Sequence, residues 1–398
     1  MNQTANRSTR ELNSWMPVDA ATASLAAGAA AHGSAALPRA IKGAIAGLDG
    51  PAGLVLVFPS GREAIPPGGG WAVPEGASVV GITGNGAIAA TGSVEDGCAA
   101  IAFERSLAHG VGISRGAGGA QREAGRAAAA EALFTLEGEP DVLLLFLDPR
   151  SGDQSEAIAG AYEVVGASLP IAGGAAGGPG PAQIIGHRAV RDSVIAIALD
   201  SPGPLGIGTA HGCRAEAVPS TVTRSEGRLL VDLDGRPAAT VYQEKLGYGE
   251  IELPDEAFER VAITHPVAQP ELHGEARIRH VLRREGDALL CATHIPVDAA
   301  VEFMHEEPDD IIAASGTAVR EALTPLGTRP ARAALLFDCA GRKRAVAALL
   351  DEEVFGLTDA FPAPRPALAG LYTHGEIARV RRGAMGDLNH AIVVVALS

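Results

Sequence analysis

The chain has 398 residues, of which 47% are hydrophobic and 20% are charged, and its formal net charge is −15. This length and apolar content favour two or three domains with buried cores and exclude a disordered or collagen-like chain. The acidic surface argues against nucleic acid or an anionic membrane surface as a partner, because both carry phosphate groups that it would repel.

The four cysteines, at positions 98, 213, 291 and 339, lack the paired spacing of a metal site. Three of them lie in apolar, strand-like runs, which favours buried, reduced thiols. No apolar run approaches the roughly 18 residues that a membrane-spanning helix needs. We therefore expect a cytoplasmic protein.

In chain order, the first predicted element is a flexible polar tail over residues 1–18. Residues 20–31 are rich in Ala and Gly with a single Leu, which favours an amphipathic helix over a signal peptide. Residues 121–136 predict a helix by propensity. The second half predicts a hairpin, a helix, a strand pair and a further helix over residues 219–233, 237–246, 282–290 with 297–304, and 308–326.

An internal repeat is the most informative feature of the sequence. Each of three units has an apolar strand, a crossover, a second strand running into a Gly-containing polar turn, and a buried closing strand. The units span residues 54–104, 141–200 and 333–398. Helical patterns over residues 155–166 and 343–356 make the last two crossovers βαβ-like, whereas the first crossover is rich in Pro and Gly and predicts no helix.

These patterns predict an α/β protein with two domains of mixed β-sheets flanked by helices, built from repeated β-(α)-β-β units. We place an internally duplicated first domain at residues 19–215 and a second domain at residues 216–398.

Motifs for catalysis are absent from the sequence. There is no G-x-S-x-G elbow, no phosphate-binding P-loop and no H-x-x-x-H or H-E-x-x-H pair. Gly110-Val111-Gly112 misses the dinucleotide-binding spacing by one residue. We therefore predict no enzymatic activity and no metal site. Basic clusters at residues 277–284, 342–344 and 379–382 are interpreted as solvated surface, with an anion-binding rim as the alternative.

Polar side chains and glycines gather where the strands of the units end. Strand ends are where α/β proteins place ligands, so these turns predict a binding site between the domains, lined mainly by units one and three. The alternative is a structural network in which Glu376 binds backbone amides. His374 and Glu376 are two residues apart and would share one face of a strand. The candidate ligand-binding residues are Thr83, Asn85, Gly173, Gly174, His211, Tyr372, His374, Glu376, Asn389 and His390.

From about residue 35 to the end, the chain resembles the FIST family of bacterial sensory proteins. The resemblance rests on ordered segments that include VVGITGNGAIA (79–89), PIAGGAAGG (170–178), GIGTAHGC (206–213), LLFDCAGR (335–342) and LYTHGEI (371–377), with residues 221–247 between them. The sequence departs from the family at His374, where a tyrosine is usual, at Gly178, where an acidic residue is usual, and in the order Asn389-His390.

The resemblance implies a signal-transduction sensor that binds an amino acid or similar metabolite and signals to a separate partner, such as a histidine kinase. No nucleic acid, membrane or cofactor is implied. As an alternative, some members resemble nitric-oxide sensors that regulate a histidine kinase through non-covalent haem b. The axial candidates would then be His211, His265 and His374.

Overall fold

The structure is a computed structural model that describes residues 25–249, 251, 253–271, 275–379 and 386–398. The predicted tail at residues 1–18 lies outside these residues. The helix predicted over residues 20–31 is wrong where it is described, because residues 26–32 form an edge strand. That strand pairs antiparallel with residues 97–103, and this pairing overrides the helix propensity of its alanines.

The first half of the chain alternates short strands with three helices. In order it contains β1 (Ala26–His32), α1 (Ala36–Ala46), β2 (Ala52–Ser60), β3 (Ser78–Ile82), β4 (Ala87–Ala89), β5 (Gly92–Val94), β6 (Gly97–Glu104), β7 (Ala108–Arg115), α2 (Gln121–Thr135), β8 (Val142–Leu147), α3 (Gln154–Val165), β9 (Ile171–Ala175), β10 (Gln183–Ile185), β11 (Arg188–Val190), β12 (Ser193–Asp200) and β13 (Leu205–Ala210).

The second half continues with thirteen strands and five helices among the described residues. They are β14 (Cys213–Glu226), β15 (Leu229–Leu233), β16 (Arg236–Pro237), α4 (Ala238–Lys245), α5 (Asp255–Thr264), β17 (Val267–Gln269), β18 (Arg277–Arg279), β19 (Val281–Glu285), β20 (Ala288–Cys291), β21 (Ala300–Glu306), α6 (Pro308–Leu323), β22 (Ala333–Cys339), α7 (Ala340–Val346), α8 (Leu350–Asp359), β23 (Ala367–Thr373), β24 (Glu376–Arg379), β25 (Asp387–Leu388) and β26 (Ile392–Leu397).

The three repeat units form three six-stranded sheets with one shared plan. Their strand orders are β1-β6-β2-β3-β10-β11, β7-β12-β8-β9-β24-β25 and β13-β26-β22-β23-β4-β5. In each sheet the last two strands are a hairpin that belongs to another unit. Unit two completes the sheet of unit one, unit three that of unit two, and unit one that of unit three, so the three units close into a ring.

The interior of this ring is apolar and has contributions from all three units. Phe58, Phe146 and Phe337 occupy equivalent positions on β2, β8 and β22, and their ring centroids lie 6.0–6.3 Å apart. They are fully buried among aliphatic side chains of the same strands. The repeat in the sequence therefore reflects a common core, and the predicted α/β class with mixed sheets and flanking helices is confirmed.

Residues 213–306 form a fourth sheet, of eight strands, between β13 and α6. We call it the insert sheet; it packs against α4 and α5. The predicted hairpin and both helices of this half are confirmed, but the predicted strand pair is wrong. Residues 281–291 fold back on themselves as β19 and β20 around Gly286, and β21 pairs with β14 and β17 instead. The missed signal is the turn sequence Glu285-Gly286-Asp287. The domain boundary at residue 215 stays a prediction.

The Gly-x-Gly sequences of β7 and β13 are helix-packing positions. A Cβ placed on Gly112 would overlap the carbonyl oxygen of Ala128 in α2, and one on Gly208 would overlap that of Ala318 in α6. The near-match of residues 110–112 to a dinucleotide motif thus reflects close packing of a helix on a strand.

Replacing Gly112 by alanine is expected to lower the free energy of unfolding by about 1–3 kcal/mol, because α2 must shift to admit the methyl group. Urea denaturation measures this loss. Gly180→Ala is the matched control, since a Cβ there has no neighbour within 4 Å. Equal stability of the two variants would contradict the packing role.

Candidate functional site

A cavity of about 840 Å³ lies where the insert sheet meets the ring of repeat units. Its volume suits a small metabolite. We call it the junction cavity. Its walls come from the hairpin of unit one, from α7 and the segment after it, from the turns of unit three, and from the insert sheet. The polar and charged lining includes Asn85, Ser93, Glu95, Gln154, Arg228, His280, Lys343, Arg344, Asp351, Thr373, His374 and Asn389.

Three of the predicted ligand-binding residues line the junction cavity. His374 is exposed to solvent. Asn389 accepts a hydrogen bond from the backbone N–H of His280 at 3.2 Å, which joins its turn to the insert sheet. The Asn85 Nδ2 is buried and has no hydrogen-bond partner among the described residues. A buried donor without a partner is costly, so this amide is an unsatisfied polar group at the edge of the cavity.

Glu376 lies beneath the floor of the junction cavity and does not line it. Its carboxyl group is 2.7 Å from the Thr373 hydroxyl and accepts a hydrogen bond from the Ala391 N–H at 3.3 Å. Burial raises the pKa of Glu376 to about 7. The expectation that His374 and Glu376 share one strand face is wrong, because β24 begins at Glu376 and His374 lies in the preceding turn.

A chain of hydrogen bonds runs from the buried Glu306 to the cavity wall. Glu306 is 2.9 Å from His390 Nδ1, and His390 Nε2 is 2.7 Å from His280 Nδ1. A carboxylate only accepts, so His390 Nδ1 carries a proton; with neutral rings, His280 Nδ1 then donates to His390. This leaves His280 Nε2 as an acceptor. Burial and the neighbouring His390 lower the pKa of His280 well below its ordinary value, which keeps that ring neutral.

The base of α7 is held by a buried arginine. Arg342 donates to Asp338 and Glu353 at 2.8 Å each and to the carbonyl oxygen of His211 at 2.9 Å. His211 is thus joined to this network through its carbonyl oxygen and does not line the junction cavity, and burial, with the Arg342 charge, lowers the pKa of its ring to about 4. The helix predicted over residues 343–356 is interrupted, since a 3₁₀ turn (Ala347–Leu349) separates α7 from α8.

The interpretation of the basic clusters as solvated surface is wrong at two positions. Arg342 is fully buried, and Arg279 is buried with its guanidinium 3.2 Å from Asp387. Lys343 and Arg344 line the junction cavity, as the anion-binding alternative expects. Residues 380–382 lie outside the described residues.

The other predicted residues lie elsewhere. Thr83 borders a separate cavity of about 660 Å³ and exchanges hydrogen bonds with Gly177 and Ala182. Gly173 and Gly174 are buried in β9 and pack closely on neighbouring backbone and side chains. Tyr372 is a fully buried core residue whose ring lies 5.2 Å from Lys343 Nζ.

Two of the three haem-ligand candidates lie outside the junction cavity. The ring of His265 contacts Val261 and His305, and that of His211 contacts Cys213 and Glu275. Neither histidine lines the junction cavity. His374 alone of the three does so, among several charged side chains.

The fold defines an α/β protein built from a ring of repeated units with an inserted sheet and a cavity between them. Two family models match the chain: the FIST N domain over residues 53–236 and the FIST C domain over residues 238–379. The chain therefore belongs to the FIST family, whose domains are sensory signal-transduction domains that bind small ligands.

No curated protein matches the chain. Among solved structures, cyanuric acid hydrolase from A. caulinodans aligns over 94% of this chain and 99% of its own, with 10% sequence identity and a TM-score of 0.33. A similarity at this level carries no inference about function. Among the described residues, no helix is both long and apolar enough to cross a membrane.

Proposed function

We propose that this protein is a cytoplasmic sensor without catalytic activity, whose junction cavity binds an amino acid or a similar small zwitterion. The observation that carries the proposal is the mixed charge of the cavity lining. Three cations, Arg228, Lys343 and Arg344, share the wall with the carboxylates of Glu95 and Asp351. Cations suit an α-carboxylate, and carboxylates suit an α-ammonium group.

Arg344 is the best candidate to bind the ligand carboxylate. Lys343 is already paired with Glu95, whereas no hydrogen bond or ion pair engages Arg344 among the described residues. The charge of Arg344 also reaches His280, where it is one cause of the lowered pKa. A ligand that bridges Arg344 and the neutral His280 would thus contact both α7 and the insert sheet.

This position of the cavity supports a sensory mechanism. A ligand that contacts both the ring and the insert sheet favours the arrangement in which they are close together. A separate protein, such as a histidine kinase, would read that arrangement. The partner is part of the proposal and is tested by a pull-down with and without the ligand.

A thermal-shift panel of the common amino acids tests ligand binding. We expect one chemical group of amino acids to raise the melting temperature, as binding to the folded state requires. In Arg344→Ala the affinity for that group should fall by at least about tenfold, the loss of one charge-assisted hydrogen bond. Arg188→Ala, which removes an exposed arginine outside the cavity lining, should bind like the wild type.

Two outcomes would contradict the proposal. One is a flat response to every amino acid, and the other is equal affinity in Arg344→Ala and the wild type. A Soret band after haem titration that is lost in His374→Ala would favour the haem alternative instead.

A further inference from the structure

Two histidines of the insert sheet face each other on the molecular surface, away from the junction cavity lining. His265 follows the end of α5 and His305 lies on β21. The nitrogens His265 Nε2 and His305 Nδ1 are 3.0 Å apart, and the ring centroids are 4.7 Å apart. A carboxylate oxygen of Glu216 lies 3.9 Å from the same His265 nitrogen.

The outer nitrogen of each ring acts as a hydrogen-bond donor. His265 Nδ1 is 3.0 Å from the carbonyl oxygen of Val261 and 3.0 Å from the Thr264 hydroxyl, which itself donates to that carbonyl at 3.3 Å. His305 Nε2 is 2.7 Å from a carboxylate oxygen of Glu307. The Val261 and Glu307 oxygens cannot donate, and the Thr264 proton is used by Val261, so both outer nitrogens carry protons. Neutral rings therefore point two lone pairs at each other across 3.0 Å. A cation between the rings turns this repulsion into attraction.

We propose that Glu216, His265 and His305 bind one divalent transition-metal ion of the zinc class. Two imidazoles and a carboxylate are ligands that zinc prefers, and an open fourth position is usual in sites with three protein ligands. Nitrogens on one tetrahedral zinc lie about 3.3 Å apart, so the rings need to separate by only a few tenths of an ångström. The three ligand atoms already lie within 4.8 Å of one another.

The backbone places the third ligand. The pairing of β14 with β21 shifts register between Ala215 and Ala217, so Glu216 is the additional residue of a β-bulge. Bulges redirect side chains, and this one brings Glu216 beside the histidine pair. The exposed fractions of the His265, His305 and Glu216 side chains are 18%, 32% and 46%, so an ion can enter from solvent. The ligands come from three distant segments, which is why no spacing in the sequence predicts this site.

The bound ion would join the end of α5 to the central strand of the insert sheet. Val261 and Glu307 would orient the two rings by accepting their outer protons, as is usual for metal-binding histidines. α5 also supplies Ile263 to the junction cavity wall. The metal would thereby stabilise one wall of that cavity, although its binding does not depend on what the cavity binds.

Isothermal titration of the full-length protein with zinc chloride, after chelator treatment and desalting, tests the proposal. We expect the wild type to bind one equivalent per chain. His265→Ala and His305→Ala should each weaken that binding at least a hundredfold. His294→Ala, which removes an exposed histidine of the same region, is the matched control and should bind like the wild type.

Glu216→Gln provides a variant with little risk to folding, because this side chain is about half exposed. It should also weaken zinc binding, and cobalt(II) bound to the wild type should show the intense visible bands of a tetrahedral site. Absence of zinc binding in the wild type would overturn the proposal. So would equal affinity in Glu216→Gln, or in a folded His305→Ala variant, and the wild type.

Discussion

Replacing Arg342 by methionine is expected to lower the free energy of unfolding by about 3–5 kcal/mol, the usual effect of breaking a buried ion pair from one side. The Arg342 side chain is fully buried between Asp338 and Glu353, and it also donates to the Ser315 hydroxyl at 2.7 Å. Methionine fills much of the same volume but leaves two buried carboxyl groups without their cation.

Urea denaturation at neutral pH measures this effect, and Arg344→Met is the control. Arg344 lies two residues further along α7 but is exposed, so its replacement should change stability by less than about 0.5 kcal/mol. Adding Asp338→Asn and Glu353→Gln to Arg342→Met should recover part of the loss, because the buried charges are then absent. A deficit below 1 kcal/mol in Arg342→Met, or a further loss in the triple variant, would contradict the network.

The network also affects the proposed site, because Arg342 precedes two lining residues of the junction cavity, Lys343 and Arg344. Burial and the nearby Glu353 charge raise the pKa of Asp338 well above its usual range even with Arg342 present. A protonated carboxyl group costs less to bury. The loss of unfolding free energy in Arg342→Met, relative to the wild type, should therefore be smaller at acidic pH.

The repeat units could be predicted from the sequence because their strands are buried on both faces. Continuous apolar runs such as residues 54–58 and 142–147 identify such strands directly. The exchange of hairpins between units could not be predicted. The hairpin strands are only two to four residues long, and their partners are set by closure of the ring, not by any local pattern. The Ala-rich β1 was mistaken for a helix because its pairing with β6 is a contact at long range.

Part of the site could also be predicted, because some of its residues directly follow the apolar strands of the repeat units. Asn85, His374 and Asn389 follow strands of units one and three, and the ends of these strands meet at the junction cavity. His280 and Arg228 were missed because they reach the cavity from the insert sheet, whose position over the ring no sequence pattern reveals. Arg342 was assigned to the surface because a basic cluster is usually solvated. Its partners Asp338 and Glu353 are buried, but no pattern in the sequence marks them as buried.

Replacing Glu376 by glutamine is expected to remove a pH dependence of stability that the wild type shows. The Thr373 hydroxyl has one proton, and it lies 3.1 Å from the Asp338 carbonyl oxygen, which can only accept. If Thr373 donates there, its contact with Glu376 requires a protonated carboxyl group. This geometry agrees with a pKa of about 7 in the folded state against 4.5 in the unfolded chain.

Because the pKa of Glu376 is higher in the folded than in the unfolded state, its contribution to stability decreases as the pH rises. Below about pH 4.5 the carboxyl group is protonated in both states, so the stability it contributes is fully present. As the pH rises towards 8, the unfolded chain ionises first, and the wild type loses about 3 kcal/mol of unfolding free energy from this one group. Glutamine is neutral throughout and can donate to Thr373, so Glu376→Gln should gain stability over the wild type by about that amount across the same range.

Urea denaturation of both proteins between about pH 4.5 and pH 8 measures the difference, and Glu352→Gln is the control because that carboxylate is exposed. A constant difference between wild type and Glu376→Gln, or one that grows in favour of the wild type, would show that Glu376 is ionised when folded. The expected result has a consequence for the site, because Thr373 both contacts Glu376 and lines the junction cavity. Ionisation of Glu376 as the pH rises through about 7 would place a negative charge beneath the cavity floor. The affinity for an anionic group should therefore fall near and above pH 7, where the loss of stability levels off, and this fall should be absent in Glu376→Gln.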